Sequence, residues 1–363
     1  MANKLWEDIQ AQADNLSCVV NYLYGPERDR LESAAQSNRN SHPVILIGIA
    51  SAAYTCMPAA SYLGGQGINA NLLYASDALY YLLPALRNAN VVINSRSGET
   101  IEIVKLAKTL SAENIPFTAI TNEPGSTLAR LASNVIWAYS RKDDLISINV
   151  VSGMMTGTLA FAAAITGESD WMRQSLLSLV ETMRHTIHDA SIQADEMAGL
   201  MRSTRPIYLL YRGADKGAAY CGRLVLEEVA RIPAVALDAA EFRQGPNEVI
   251  ENGFGAVIFV PSGFPGKLNN SLGRDILQLG GRVLFIGERG EKKAKQSMHF
   301  PVHLVPDPLR PIVDIIPIQV LAYKLAEAQG IIPGEVRYIT KVITSEEGHL
   351  SPINPERRKE ATI

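Results

Sequence analysis

Cysteine is scarce in this chain. Only three cysteines occur among 363 residues, Cys18, Cys56 and Cys221, and they lie far apart. Zinc sites and disulfide frameworks need cysteines at closely paired spacings, so this distribution argues against both. We therefore predict a reducing, cytoplasmic setting, and we expect neither a metal nor a cofactor.

The chain also lacks an excess of charge of one sign and a long apolar run. Its 34 Lys and Arg residues nearly balance 37 Asp and Glu residues, for a net charge of −3. That balance excludes a general attraction to nucleic acid or to an anionic membrane. The most apolar run, Gly153 to Gly167, is shorter than the roughly 20 residues that span a bilayer, so we predict a buried helix there.

Apolar residues are numerous enough for a sizeable core. Hydrophobic residues make up 47% of the chain, and a length of about 150 residues per domain predicts two domains. Continuous apolar runs, typical of strands buried on both faces of a parallel sheet, recur between helix-like segments. In the first half these runs are 44–50, 72–75, 90–94, 117–121 and 135–138. The alternation predicts a doubly wound, flavodoxin-like α/β fold.

The same alternation restarts in the second half of the chain. Its predicted strands are 207–211, 234–237, 256–260 and 283–287, with a late strand region around His299 and His303. The residues between the halves contain no strand candidate and are predicted to form two helices. An internal duplication of one α/β module is therefore expected. The predicted domains are a helical segment (1–40), a first α/β domain (41–167), a helical connector (168–204), a second α/β domain (205–345) and a tail (346–363).

One loop combines the features of a phosphate site. NSRSGET, Asn94 to Thr100, follows a predicted buried strand and opens a helix. Its three hydroxyl groups can bind an anion, and its glycine permits close backbone approach. The first helical turn adds unpaired N–H groups and the positive end of the helix dipole. The alternative is an ordinary helix cap, which also uses Ser or Thr followed by Glu.

Further segments belong to the same pattern. They are GIAS (48–51), SRSGET (95–100), TNEPGSTLARLAS (121–133) and EFRQGP (241–246). Together they resemble the sugar isomerase (SIS) family, in particular double-SIS proteins such as the isomerase half of glucosamine-6-phosphate synthase and the deglycases of fructosamine-type 6-phosphates. The resemblance covers residues 40–345, and SxSGET followed by NxPGSxL is its most specific part.

The resemblance implies that the first repeat binds a sugar 6-phosphate. The residues implied are Ser51, Ser95, Arg96, Ser97, Gly98 and Thr100. Arg96 departs from the glutamine of the synthase, and its charge is expected to tighten phosphate binding or to reach a second anionic group. Val150 and Ser152 align with the segment that lines the sugar, although a helix N-cap is an equal alternative for Ser152. Because the second repeat has VPSGFPG in place of this loop, one phosphate site per chain is expected.

The second repeat is implied to supply acid–base groups. Moving a carbonyl between C1 and C2 of a sugar requires a base for a carbon-bound proton. Glu228, in LVLEEVARIP, matches the family's catalytic glutamate, whereas its neighbour Glu227 points about 100° away on a helix. Glu241, in EFRQGP, is a second carboxylate of the family, expected to orient the substrate or its own loop.

Two positions depart from the family. Gln244 stands where a histidine is usual, and glutamine carries no proton at neutral pH. Val225 stands where the synthase has a lysine. His349 is a candidate replacement for the histidine, with an exposed tail side chain as the alternative. Lys341, in RYITKV, matches a lysine of the family's C-terminal segment near the sugar.

Three functions are compatible with these residues. We expect first a deglycase that acts on a 6-phosphorylated sugar–amine adduct, fructoselysine 6-phosphate or glucoselysine 6-phosphate. The alternatives are an aldose–ketose or aminosugar 6-phosphate isomerase, and a non-catalytic sugar-phosphate sensor. The resemblance also implies a homodimer, and no nucleic-acid or membrane partner is expected.

Overall fold

The computed structural model describes residues 3–39, 42–288 and 294–347, and these fall into two compact units. The described residues of the first unit come from Ala11–Ser178 and Val336–Ile363, and those of the second from Met1–Gln10 and Leu179–Glu335. Each unit therefore takes its chain from two separate stretches. Unlike the predicted domain ranges, this division places residues 336–347 with the first half of the chain.

Five parallel strands form the sheet of the first unit. They are β1 (Val44–Gly48), β2 (Ala70–Tyr74), β3 (Asn90–Ser95), β4 (Phe117–Thr121) and β5 (Asn134–Trp137). Their order across the sheet is β2-β1-β3-β4-β5. β1, β3 and β4 are buried along their whole length, which is why their sequences are continuous apolar runs.

The second unit repeats this topology. Its strands are β6 (Ile207–Tyr211), β7 (Ala234–Asp238), β8 (Gly255–Val260), β9 (Arg282–Gly287) and β10 (Ser297–Pro301). Their order is β10-β9-β8-β6-β7, so both sheets have the order 2-1-3-4-5 when strands are counted within each unit. The predicted doubly wound α/β class is confirmed.

Helices connect and flank the strands. In chain order they are α1 (Lys4–Gln10), α2 (Gln12–Leu23), α3 (Arg28–Ser37), α4 (Ser51–Tyr54), α5 (Met57–Gly65), α6 (Ala75–Tyr80), α7 (Leu83–Leu86), α8 (Ile101–Ala112), α9 (Thr127–Leu131), α10 (Asn149–Thr166), α11 (Ser169–Met201), α12 (Lys216–Val229), α13 (Ala239–Phe242), α14 (Gly263–Gln278), α15 (Arg310–Asp314) and α16 (Ile316–Ala328). Short 3-10 turns add Gly213–Asp215, Pro246–Val249 and Asp307–Leu309.

The connector between the two sheets is one helix. α11 runs unbroken for 33 residues, so the prediction of two helices is wrong. The segment holds no proline, and Gly199 is its only glycine. Because neither helix-breaking residue interrupts the middle of the segment, the helix continues from end to end.

The most apolar segment is the predicted buried helix. α10 is long and apolar enough to cross a membrane by length and composition alone, yet 94% of it is buried inside the protein. It packs against α2, α3 and α5 of the same unit. Gly153 permits a close approach, because a Cβ there would stand 2.5 Å from the Cβ of Ser140. The three cysteines are free thiols, and Cys56 and Cys221 are buried.

A buried ionic cluster lies at the carboxyl edge of the second sheet. Nη2 of Arg310 is 2.6 Å from Oδ2 of Asp314, and Nε of Arg310 is 3.5 Å from Oδ2 of Asp215. All three side chains are at most 1% exposed. Oδ1 of Asp215 and Oδ1 of Asp314 have no hydrogen-bond partner among the described residues. Burial raises the pKa of Asp314 well above its usual value, and it raises the pKa of Asp215 as well.

The Asp314→Asn variant is expected to gain stability relative to the native protein as the pH rises. A carboxyl group whose pKa is raised by folding stabilises the fold fully below its unfolded pKa of about 4, and this contribution is lost as the pH rises through the folded value. Asparagine has nearly the same shape and carries no titrating proton, so it does not lose stability in this way. The difference in unfolding free energy, measured in urea, should therefore increase from about pH 5 to about pH 8.

The matched control is Asp195→Asn. The Asp195 carboxylate is 91% exposed and lies 3.5 Å from Lys324, so its replacement should show no comparable trend over this pH range. A difference for Asp314→Asn that stays constant or shrinks with rising pH would contradict the raised pKa of Asp314.

Candidate functional site

The candidate site lies at the carboxyl edge of the first sheet. The strand order reverses between β1 and β3, because β2 lies on one side of β1 and β3 on the other. Ligands of doubly wound sheets bind in the crevice outside the carboxyl ends of the strands at such a point. The loop from Ser95 to Thr100 leaves β3 there, and Ser51 follows the end of β1.

Gly98 determines the shape of this loop. Its φ of 62° lies in the left-handed region, and a Cβ at this position would stand 2.2 Å from Oγ of Ser126. The Gly98 N–H donates to Oγ of Ser95 at 3.1 Å, and the Gly98 carbonyl accepts from the Leu128 N–H at 3.2 Å. Only glycine fits this position, and the loop is held against the start of α9.

The hydroxyl groups of the loop do not cap α8. Thr100 is the N-cap residue, but its side chain accepts no capping hydrogen bond. Oγ of Ser97 accepts from the Glu99 N–H at 3.2 Å, and the Glu99 carboxylate accepts from the Thr127 N–H at 2.6 Å. The helix-cap alternative is therefore wrong for Thr100. A hydroxyl that accepts one bond still has its own proton to donate to a ligand.

The start of α8 requires one correction. The N–H of Ile101 is not unpaired, because it donates to the Ile343 carbonyl at 3.0 Å. Tyr80 and Lys105 both bind the carboxylate of Glu346. The C-terminal segment (336–347) therefore lies along the first turn of α8. A helix start needs acceptors for its first N–H groups, and here a distant part of the chain supplies one.

A cleft of about 470 Å³ opens beside the loop. Four predicted substrate-binding residues line it, namely Arg96, Ser97, Val150 and Lys341. Its volume is within the range of small-molecule sites. The structure thus brings Lys341 next to the loop across 245 residues of sequence.

Arg96 joins the loop to the C-terminal segment. Its Nη1 donates to Oγ of Ser147 at 3.3 Å, and its Nη2 donates to the carbonyl of Lys341. Two carboxylates of the cleft are engaged elsewhere, since Glu99 accepts from a backbone N–H and Glu123 pairs with Lys142 at 2.7 Å. Three cationic side chains, Arg96, Lys142 and Lys341, line the cleft, and Lys142 is paired with Glu123. The positive charge of Arg96 and Lys341 beside the loop suits an anionic ligand.

Asp143 is a cleft residue that the sequence analysis missed. Its buried carboxylate accepts from the N–H groups of Ile148, Asn149 and Val150 at 2.8 to 3.0 Å. Burial raises the pKa of Asp143, whereas these hydrogen bonds act in the opposite direction. Asp143 caps α10 and positions Val150 at the cleft. It lies five residues before the N-cap residue Ile148, which is not the usual capping position, so no local signal marks it.

Ser51 and Ser152 do not line this cleft. Ser51 is half-buried and follows Ala50, whose φ of 47° is unusual for a residue other than glycine. Ser152 is buried in α10 and donates to the Asn149 carbonyl at 3.0 Å. The N-cap alternative for Ser152 is wrong, because the helix begins three residues earlier.

The predicted acid–base residues lie in the second unit. Glu228 is half-buried in the last turn of α12. Its neighbour Glu227 is engaged in the fold, since its carboxylate lies 3.8 Å from Arg223 and accepts from the Ala234 N–H, and burial raises its pKa. Glu241 and Gln244 are exposed at the turn after β7, where the Gln244 N–H donates to the Glu241 carbonyl at 2.8 Å.

Two remaining expectations concern histidine and metal. His349 lies outside the described residues. Within residues 3–39, 42–288 and 294–347, no group of three or more His, Cys, Asp or Glu side chains is arranged to hold a metal ion.

The two parallel sheets have the same strand order, which defines a doubly wound α/β protein. The loop around Gly98 lies at the switch point of the first sheet and is its candidate anion site. Residues 39–164 match the SIS domain model. The resemblance to the SIS family noted from the sequence is thereby confirmed.

Curated relatives are similar over most of this chain. Glutamine–fructose-6-phosphate aminotransferase (isomerizing) of Pyrobaculum aerophilum is 28% identical over 350 residues, which cover 94% of this chain and 57% of the relative. The enzyme of the same name from Streptococcus pyogenes serotype M1 is 25% identical over 282 residues, covering 75% of this chain and 46% of the relative. The chain spans about half the length of the curated relatives it matches.

Solved structures share the fold. The C-terminal domain of glucosamine-fructose-6-phosphate aminotransferase from Francisella tularensis superposes with a TM-score of 0.79 at 17% identity, covering 91% of this chain and 97% of that one. Tagatose-6-phosphate ketose/aldose isomerase from Escherichia coli gives a TM-score of 0.75 at 18% identity, covering 90% and 94%.

Proposed function

We propose that this protein is an enzyme that binds a 6-phosphorylated sugar–amine adduct, fructoselysine 6-phosphate or glucoselysine 6-phosphate, and releases the amine. The observation that carries the proposal is the loop after β3. Gly98 fixes its backbone, Ser97 and Thr100 offer half-buried hydroxyl groups, and Arg96 adds a positive charge, all of which suit a phosphate monoester. The names of the relatives support a sugar phosphate as the ligand.

The phosphate would be held by hydroxyl groups and cations. Ser51, Ser95, Ser97 and Thr100 lie at one sheet edge, around the ends of β1 and β3. Arg96 and Lys341 add positive charge at the adjoining cleft. Charge-assisted hydrogen bonds to a phosphate are stronger than neutral ones, so we assign the larger share of phosphate affinity to these two cations.

Glu228 would move the carbon-bound proton. From a 1-amino ketose phosphate it takes a proton at C1 and returns one to C2, which converts the enolamine into an imine at C1. Water then adds to this imine, and the carbon–nitrogen bond breaks to give the free amine and an aldose 6-phosphate. A 2-amino aldose runs the same steps in the opposite sense and gives a ketose 6-phosphate. A single carboxylate placed over C1 and C2 serves both directions.

The remaining predicted residues have supporting roles in this proposal. Glu241 orients the substrate or its loop. Gln244 offers an amide that donates and accepts hydrogen bonds but transfers no proton at neutral pH. His349 stays a candidate for the proton transfer that Gln244 does not perform. Ser152 is retained only as an indirect neighbour of the cleft, because its hydroxyl is engaged within α10.

Incubation of the purified chain with each adduct tests the proposal. We expect free lysine and hexose 6-phosphate to appear in equal amounts, measured by chromatography and by a coupled hexose-phosphate assay. No release from either adduct, at enzyme concentrations that exhaust the substrate, would overturn the deglycase assignment. A tightly bound sugar phosphate left unchanged would point instead to a sensor.

An aldose–ketose isomerase is the second candidate. It is favoured by the structural similarity to tagatose-6-phosphate ketose/aldose isomerase. The two functions separate in one experiment, because an isomerase exchanges fructose 6-phosphate with glucose 6-phosphate and needs no amine. A homodimer and a cytoplasmic setting are part of the proposal, and light scattering on the purified protein tests the first.

A further inference from the structure

A second crevice lies at the matching position of the second sheet. The strand order reverses between β6 and β8, and a crevice of about 320 Å³ opens outside their carboxyl ends. It adjoins the N-terminus of α12, whereas Glu228 lies in the last turn of that helix. Twelve residues of helix separate Lys216 from Glu228, a distance of about 18 Å, so this crevice is separate from the predicted catalytic carboxylate.

Arg310 has a buried donor in this crevice that the fold does not use. Its Nε faces Asp215, and its Nη2 donates to Asp314 and to the Val260 carbonyl. Its Nη1 has no hydrogen-bond partner among the described residues, although the side chain is 1% exposed and lines the crevice. Leaving such a group unpaired is costly, so the arrangement points to an acceptor that comes from outside the chain.

The crevice carries charge of both signs. Arg212 lines it beside Arg310, and its Nε donates to Oδ1 of Asn269 at 2.8 Å. Asp238 and Asp307 line it as well. A phosphate would meet several carboxyl groups, and a simple amine would meet two guanidinium groups. A ligand with one carboxylate and one ammonium group matches both sets of charges.

The walls of the crevice suit a small side chain. Leu268 and two prolines, Pro261 and Pro265, provide apolar surface beside the charged groups. The volume holds one small organic molecule. The acidic residues are not arranged as a metal cluster within the part of the chain that the structure describes.

We propose that this crevice binds a free α-amino acid. The carboxylate of the ligand pairs with Arg310 and Arg212, and its ammonium group pairs with Asp307 and Asp238. Binding of an amino acid here requires neither sugar phosphate nor catalysis, so it can be tested independently of the deglycase assignment.

Binding measurements on the full chain without sugar phosphate test this proposal. The twenty standard amino acids are first screened by thermal shift, and the strongest is titrated by calorimetry. We expect at least one to bind with one site per chain, about 10-fold or more tighter than acetate, ethylamine or inorganic phosphate. Failure of all twenty to bind, or equal binding of acetate or phosphate, would overturn the proposal.

Two variants locate the site. Arg212→Gln removes a partner of the carboxylate, and Asp307→Asn, at an exposed position, removes a partner of the ammonium group. Each should weaken binding about 10-fold. Lys267→Gln is the control, because Lys267 is an exposed residue of α14 outside the crevice lining. This variant should bind the amino acid with unchanged affinity. An affinity that neither Arg212→Gln nor Asp307→Asn changes, in variants with native circular dichroism, would place the ligand elsewhere.

Discussion

Replacing Glu228 by glutamine is expected to lower kcat for amine release by about 10³-fold. Glutamine keeps the shape of the side chain but cannot take a proton from carbon. The sugar phosphate should still bind with near-native affinity, because the residues proposed to bind the phosphate belong to the other unit. Release of free lysine under saturating substrate gives kcat, and calorimetry with hexose 6-phosphate gives the affinity.

Glu227→Gln is the matched control for this experiment. It makes the same chemical change one position earlier, at a carboxylate that pairs with Arg223 and accepts a hydrogen bond from the Ala234 N–H. We expect it to retain kcat within a few-fold and to lose some stability. Near-native turnover of Glu228→Gln, or a larger loss in Glu227→Gln, would show that Glu228 is not the base.

The Arg310→Met variant is expected to lose about 3–5 kcal/mol of stability. Arg310 is the single cation between Asp215 and Asp314, and all three side chains are buried. Methionine fills much of the same volume but leaves the two carboxyl groups without a positive charge. Urea unfolding at neutral pH measures the loss.

The control for Arg310→Met breaks an exposed ion pair instead. Arg243 lies 2.9 Å from Asp275 at the surface of the second unit, so Arg243→Met should cost less than about 1 kcal/mol. If both variants lost equally little, Asp215 and Asp314 would not depend on Arg310.

Much of the fold was predictable because buried segments are recognisable in the sequence by their apolar residues. Strands buried on both faces, such as β1 and β3, are continuous apolar runs bounded by polar loop residues. The glycine of the loop was also predictable, since a turn this close to a neighbouring helix excludes any side chain. The hydroxyls around it were recognised from their position after a buried strand.

The missed features depend on contacts between residues far apart in sequence. Nothing near Ile343 indicates that its carbonyl binds the first N–H of α8. Charged residues usually lie at the protein surface, so the sequence gives no sign that Asp215, Arg310 and Asp314 are buried together. The length of α11 was missed for a different reason, because two helices and one long helix share the same apolar period.

The discontinuous make-up of the two units affects how the chain folds while it is synthesised. α1 packs against α16, which is made about 300 residues later in synthesis. The first unit is likewise incomplete without the C-terminal segment, in which the Lys341 carbonyl accepts a hydrogen bond from Arg96. Domains usually fold in order from the N-terminus as they emerge. Here each unit needs a segment from far along the chain, so the cleft of the first unit is complete only after Lys341 and Val342 have been made.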